Sequence, residues 1–219
     1  MNQVEYQGRF YENAYVIDKL KDQVRPERWL KIQKIVDQRN KNLATVLENI
    51  YDRGNSSAVM RSAEAFGFYQ IHHIIQGNEF KESKRVTQGA DKWLVQKKWP
   101  NTLSCIQNLK QQGFKIFVTQ LEGGRPIEEC SFQGPVALCL GNEKEGVSPT
   151  LSECADEKVF IPMQGFVQSF NISVAAALSF QYVYLKTKEA GGPPPLSNEE
   201  RQQLLAQYLL KSCKTPRLT

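Results

Sequence analysis

Val136–Pro149 reads VALCLGNEKEGVSP. Five apolar residues in a row, stopped at once by Gly141, suit a short strand buried on both faces, the pattern of a parallel sheet covered by helices. The turn GNEKEG follows. Ser148 and Pro149 then carry helix-start signals, a hydroxyl cap and a proline in the first turn. Strand, glycine-punctuated turn and helix make the repeating unit of an α/β fold.

Working outward, the same alternation recurs. EKVFIPM (157–163) reads as a strand, and MQGFVQSFNISVAAALSF (163–180) supplies the next helix, small and apolar from Val174 to Leu178. Toward the N-terminus, KIFVTQL (115–121) is a strand preceded by a helix near 101–112 that ends at Gly113. IHHII (71–75) and LATVLENI (43–50) are strands. Between them NSSAVMRSAEAFG (55–67) forms a helix capped by Asn55 and stopped by Gly67. After IHHII a long polar loop runs through Trp93. The expectation is an α/β fold with a largely parallel sheet.

The flanks are helical. VRPERWLKIQKIVDQRN (24–40) places Trp29, Ile32, Ile35 and Val36 at helical spacing. At the other end GGPPP (191–195) is a turn or linker, Ser197 and Glu200 form a capping box, and Leu204, Leu205, Tyr208 and Leu209 share one helix face. Docking of that helix on its own domain or on a second subunit is equally open. Residues 1–24 show no clear period. The expected organisation is an N-terminal extension over 1–41, a central domain over 42–190, and a linker with an amphipathic helix over 191–219.

Composition narrows the function classes. The 219 residues are 41% hydrophobic and 23% charged with a net charge of +5, an ordinary globular balance that permits an acidic partner without requiring one. Cysteines 105, 130, 139, 154 and 213 are odd in number and widely spaced, which argues against a disulfide framework or a zinc site. His72 and His73 lie in an apolar run without ligand-spaced neighbours, so no metal is expected. No apolar run approaches the ~18 residues of a membrane span, and the N-terminus lacks the signal-peptide pattern. These features lead to the expectation of a soluble cytoplasmic protein with no membrane partner.

The chemistry-bearing residues cluster at strand ends. Asn55 and Arg61 follow the first strand, Gly141, Asn142 and Glu143 follow VALCL, and Ser169 and Asn171 follow VFIPM. Ligands in open parallel sheets gather beyond the carboxyl ends of strands, so the three groups can share one crevice. Individually each has a plain alternative: Asn55, Ser148 and Asn171 make good caps, Arg61 a solvated helix residue, Glu143 a loop charge. GNEKEG lacks the Lys-Ser/Thr of a P-loop, and no G-x-G-x-x-G follows a strand, which disfavours nucleotide phosphotransfer and nicotinamide chemistry. A second feature is the segment Arg25–Lys41, with six basic residues against two acidic ones. With Trp29, Ile32 and Val36 inward, Arg28, Lys31 and Arg39 are the candidates to reach a polyanion, with Lys84, Arg85 and Lys92 extending the patch. A solvated face is the competing reading.

Together these segments resemble the SPOUT superfamily of RNA methyltransferases, and within it the TrmH family. NSSAVMRSAEAFG (55–67) is similar to the family's N-x-x-A-x-x-R-[ST], LGNEKEGVS (140–148) to L-G-x-E-x-x-G-[LVM]-S, and IPMQGFVQSFNISVAAAL (161–178) to I-P-M-x-G-x-x-x-S-L-N-[VI]-S-V-A-A-A. The likeness spans roughly residues 25–188. Departures are Gly54, where some members carry histidine, Phe170 in place of leucine, and Lys31 in place of arginine. The short N-terminal extension favours the tRNA branch over relatives with a ribosomal-protein-like RNA-binding domain.

The resemblance implies a deep C-terminal trefoil knot and a homodimer formed through it, with Ala175–Ala177 small for close packing. It implies transfer of a methyl group from S-adenosylmethionine to the ribose 2′-hydroxyl of guanosine-18 in the tRNA D-loop. Arg61 is then the catalytic arginine, with Asn55, Glu143, Ser169 and Asn171 completing the site. Thr119, Leu140, Gly141, Ile161, Met163 and Phe170 hold the cofactor. The family proposal makes the arginine a general base. A guanidinium keeps its proton at any ordinary pH, so an electrostatic role toward phosphate and developing alkoxide is the alternative. A ribosomal-RNA methyltransferase and a non-catalytic RNA-binding protein on the same scaffold are the competing functions.

Overall fold

The computed structural model describes residues 2–76 and 89–218. Its centre is a sheet of seven strands: β3 (Leu43–Glu48), β4 (Gln70–Ile74), β5 (Val95–Trp99), β6 (Lys115–Thr119), β7 (Arg125–Pro126), β8 (Val136–Leu140) and β9 (Glu157–Phe160). The spatial order is β5-β4-β3-β8-β6-β9-β7 and every pairing is parallel. β3 and β8 sit in the middle and are buried along their whole length, as VALCL foretold. Because all strands run the same way, Glu48, Thr119, Leu140 and Phe160 end along one edge of the sheet.

Helices cover both faces. α3 (Arg53–Ala65), α4 (Thr102–Gln111), α5 (Pro149–Cys154) and α6 (Ile172–Glu189) belong with the sheet. On one face Ala44, Val46, Ile116, Val118, Ala137 and Cys139 meet Cys105, Ile106 and Leu109 of α4 and Leu151 of α5. α3 and α6 pack against each other, with Phe68, just beyond α3, tilted onto Phe180 at a ring separation of 4.7 Å. All five cysteines are free; burial pushes the Cys105 thiol up to about 12 and that of Cys139 well above its ordinary value, so both stay protonated core residues. No helix among the described residues is long and apolar enough to cross a membrane.

Several boundaries differ from the expectation. α3 begins at Arg53, and its cap is Asp52, whose carboxylate accepts the Asn55 N–H at 2.7 Å. Asn55 therefore sits in the first turn with its amide free for other partners. Gly67, at φ +84°, does end the helix, in the left-handed conformation that glycine adopts without strain. β5 falls within VQKKW, just past the expected loop; Lys97 and Lys98 mask its strand character, yet lysines are what an edge strand carries. The expected basic positions Lys84 and Arg85 lie outside the described residues.

The chain ends form one compact unit, residues 1–40 with 194–219, and the sheet unit is 41–193. The unassigned N-terminus holds a hairpin, β1 (Gln3–Tyr6) and β2 (Arg9–Glu12), turned by Gln7 and Gly8 at positive φ, then α1 (Asn13–Leu20) and α2 (Pro26–Asp37). The final helix α7 (Asn198–Ser212) carries the expected capping box and packs on α1, α2 and β1. Arg201 pairs with Asp37 at 2.7 Å, and the Tyr15 hydroxyl donates to the Leu218 carbonyl at 2.6 Å. The C-terminal helix thus docks on the N-terminal elements of its own chain.

Acid stability follows from β4. His72 is buried, and its Nδ1 accepts the Trp99 indole N–H at 3.0 Å. Burial first, then Lys97 and His73, lower its pKa to about 4. In the unfolded chain the ring titrates near 6.5, so between pH ~6.5 and ~4 the unfolded state binds the proton and the folded state does not. Stability therefore falls as the pH drops through that window, by about 3 kcal/mol for this residue. Denaturant midpoints between pH 7 and 4.5 check this. His72→Gln, which keeps an acceptor for the indole, is expected to flatten the dependence.

Candidate active site

A cavity of about 440 Å³ opens at the carboxyl edge of the sheet. Its wall takes Thr119 from the end of β6, Leu140 and Gly141 from the end of β8, Ile161 and Met163 beyond β9, and Phe170 before α6. All six expected cofactor residues meet in this one wall, as do Glu143 and Ser169. The walls divide by depth. Ile127, Leu140, Val159 and Ile172 are buried, whereas Glu143, Lys144, Glu145, Gln168 and Ser169 are exposed toward the mouth.

The loop after β8 is held from several sides. Asn142 and Gly146 exchange backbone hydrogen bonds at 2.8 and 2.9 Å, closing GNEKEG into a tight turn. The Asn142 side chain accepts the N–H groups of Lys144 and Glu145 and donates to the Asn49 carbonyl at 2.9 Å. A Cβ on Gly141 would strike the backbone of Gly146 and Val147, so only glycine fits there. At the far end Ser148 caps α5 and bonds twice to Glu48: its N–H to Oε2 and its hydroxyl to Oε1, both at 2.8 Å. Glu48 is almost fully buried and also accepts the Thr102 hydroxyl at 2.5 Å. This carboxyl group, unnoticed in the sequence, ties the loop to the central strand.

Three strand ends converge through side chains. The Asn171 Oδ1 caps α6, accepting the Ser173 N–H at 2.9 Å and its hydroxyl at 2.6 Å. The Asn171 Nδ2 donates to Asn55 Oδ1 at 3.2 Å, and Asn55 Nδ2 donates to Glu143 Oε1 at 3.0 Å. Asn171 is therefore both the cap its position suggests and a member of a polar relay linking segments 116 and 88 residues apart. Asn55 and Asn171 stand outside the cavity wall and reach it through Glu143. Arg61 is exposed on α3 and is neither in that wall nor paired among the described residues. Ser169 lines the mouth without a hydrogen-bond partner among the described residues.

The expected RNA contacts separate. Lys31 is exposed on α2. Arg28 is half-buried and reaches the Ser212 hydroxyl at 3.4 Å. Arg39 corrects the expectation: it is 3% exposed, donates from Nε to the Tyr208 hydroxyl at 2.9 Å, and lays its guanidinium over that ring. It braces the terminal unit, because its partner lies on α7, 169 residues away in sequence.

A mid-sized cavity, apolar within and polar at the mouth, lies at the carboxyl edge of a parallel sheet, where open α/β proteins bind small ligands. The chain belongs to the SpoU rRNA methylase family, whose family model matches residues 42–181. It is 32% identical over 186 residues to the tRNA (guanosine(18)-2′-O)-methyltransferase of Aquifex aeolicus, covering 83% of this chain and 88% of that protein. The Thermus thermophilus enzyme of the same name is 32% identical over 184 residues, covering 83% of this chain and 95% of that protein. Among solved structures, the A. aeolicus TrmH/SpoU tRNA modifying enzyme superposes with a TM-score of 0.79 at 30% identity, over 87% of this chain and 98% of that one.

Proposed function

We propose that this enzyme transfers a methyl group from S-adenosylmethionine to the ribose 2′-hydroxyl of guanosine-18 in the D-loop of tRNA. The observation that carries this reading is the similarity, over 83% of the chain, to relatives that bear that activity in their names. The Asn171–Asn55–Glu143 relay, joining the three motifs at the cavity mouth, supports it.

The cavity suits S-adenosylmethionine: buried aliphatic walls for a flat heterocycle, and exposed polar side chains for a charged tail. Thr119, Leu140, Gly141, Ile161, Met163 and Phe170 are the residues that would hold it. When bound, it supplies a methyl group made electrophilic by the sulfonium. The protein's own work is then placement. Glu143, fixed by Asn55, presents a carboxylate beside the mouth, and Ser169 adds a hydroxyl. Arg61 supplies a positive charge for the phosphate and for negative charge developing on the ribose oxygen.

RNA capture in this reading falls to the terminal unit, where Arg25, Lys31 and Lys34 are exposed, and methyl transfer to the sheet unit. The working state is a cytoplasmic homodimer formed through the knotted C-terminal loops. In support, α6 leaves Val174, Tyr184 and Leu185 exposed, and the loop before it exposes Phe166 and Val167, an apolar surface fit for burial by a second copy.

The test is transfer from labelled S-adenosylmethionine to an unmodified tRNA transcript, beside the same transcript with 2′-deoxyguanosine at position 18. Label in the first and none in the second is expected. Incorporation into ribosomal-RNA fragments alone would keep the chemistry and overturn the substrate.

A further inference from the structure

The chain leaves β3 through Asn49, which sits at φ +54°, the left-handed region that asparagine tolerates better than most residues. The Asn49 N–H donates to the Ile74 carbonyl at 3.0 Å, its Oδ1 accepts the Gln76 N–H at 3.1 Å, and its carbonyl accepts the Asn142 side chain at 2.9 Å. Two residues later Tyr51 emerges 52% exposed, and its hydroxyl donates to the Gln76 carbonyl at 3.2 Å. Asp52 then caps α3 through the Asn55 N–H, and Asn55 donates to Glu143. The segment 49–55 is thus tied at both ends to the loop Gly141–Gly146. Tyr51 stands between the two ties, outside the cavity wall.

An exposed aromatic ring held at its tip can serve as a platform. The hydroxyl tether restrains the ring before any ligand arrives, so less side-chain freedom is left to lose on binding. Among the described residues, the other exposed aromatics of the sheet unit, Phe166, Phe170 and Tyr184, lie on α6 or the loop before it. Tyr51 has no part in that surface. Arg53, two residues on, is exposed and makes no ion pair among the described residues. A cation so close in the chain to an open aromatic face suits a nucleotide, with phosphate on the charge and base on the ring.

We infer that Tyr51 is the base-stacking platform for the nucleotide whose ribose is methylated. With cofactor in the cavity, that ribose has to reach the mouth from outside, and a ring beside the mouth holds the attached base while it does so. The inference rests on the RNA methyltransferase reading above, and the experiment separates the two.

Methylation kinetics on the unmodified tRNA transcript compare the wild type with Tyr51→Leu, an apolar side chain without a flat face. The KM for tRNA is expected to rise about tenfold, within the worth of one stacked base. Affinity for S-adenosylhomocysteine is expected to hold, because Tyr51 is not in the cavity wall. Tyr51→Phe keeps the ring and loses the tether, and is expected to recover most of the loss. A transcript with 2-aminopurine at position 18 reports the contact itself, since that base fluoresces when unstacked. Its complex with Tyr51→Leu is expected to be brighter than its complexes with the wild type and Tyr51→Phe. Equal brightness of the wild-type and leucine complexes overturns the proposal, whatever KM does. So does a phenylalanine variant as weak as the leucine variant, which would make the tether and not the ring the working part. If Tyr51→Leu weakens S-adenosylhomocysteine binding as much as tRNA binding, the residue only shapes the loop and the proposal falls. Failure of the wild type to methylate the transcript overturns the substrate reading, and this proposal with it.

Discussion

Arg61→Ala is expected to lower kcat by about 10²–10³-fold, the usual cost of removing one group that stabilises transition-state charge, with little change in stability or in cofactor affinity. The structure separates these effects. Arg61 is exposed on α3, makes no ion pair among the described residues and is absent from the cavity wall, so its removal breaks no hydrogen bond or ion pair seen among the described residues. Surface substitutions of that kind stay within ~0.5 kcal/mol of the parent. Arg61→Lys keeps the charge and loses the planar fork that grips phosphate, and is expected to recover only part of the rate. Single-turnover methyl transfer, paired with calorimetric binding of S-adenosylhomocysteine, reads both quantities. Weakened binding with full turnover at saturating cofactor would remove Arg61 from the chemistry.

Arg61 could be proposed from sequence because its motif is local, and locality also made the sheet legible. VALCL has one physical solution in a short apolar run, and the alternation of such runs with capped helices gives a parallel sheet without knowledge of any contact. Part of the cavity wall, Gly141, Asn142, Glu143 and Ser169, was legible for a related reason: these residues follow strand ends, and parallel pairing sends those ends to one edge. What escaped were residues whose role depends on a distant partner. Arg39 reads as a surface cation until Tyr208 closes over it. Asp52 and Asn55 are both competent caps three residues apart, and only the helix start decides between them. The hairpin at Gln7–Gly8 and the edge strand at Lys97–Lys98 gave weak periodic signals, since neither is buried on a full face.

Glu48 is the clearest of the missed residues, because a glutamate closing a strand looks like an ordinary surface charge. In the fold it is 1% exposed and accepts three hydrogen bonds, from Thr102 on α4 and from Ser148 twice. Glu48→Ala leaves those donors buried and unpaired, and is expected to cost about 3 kcal/mol, or roughly 6–12 °C in Tm for a chain of this size. The loop effect is the more informative part. Ser148 ends the loop that begins at Gly141 and lines the cavity, so releasing it should loosen the wall and weaken S-adenosylhomocysteine binding about tenfold. Glu48→Gln keeps one acceptor oxygen and offers an amide that the two hydroxyls can accept, so it is expected to lie between wild type and Glu48→Ala in both measurements. If Tm falls and affinity holds, Glu48 serves the core alone and the loop is shaped by Asn142 and Gly146. If both fall together and recover in the same order with glutamine, the buried carboxyl group is what couples the packing of α4 and α5 on the sheet to the geometry of the cofactor cavity.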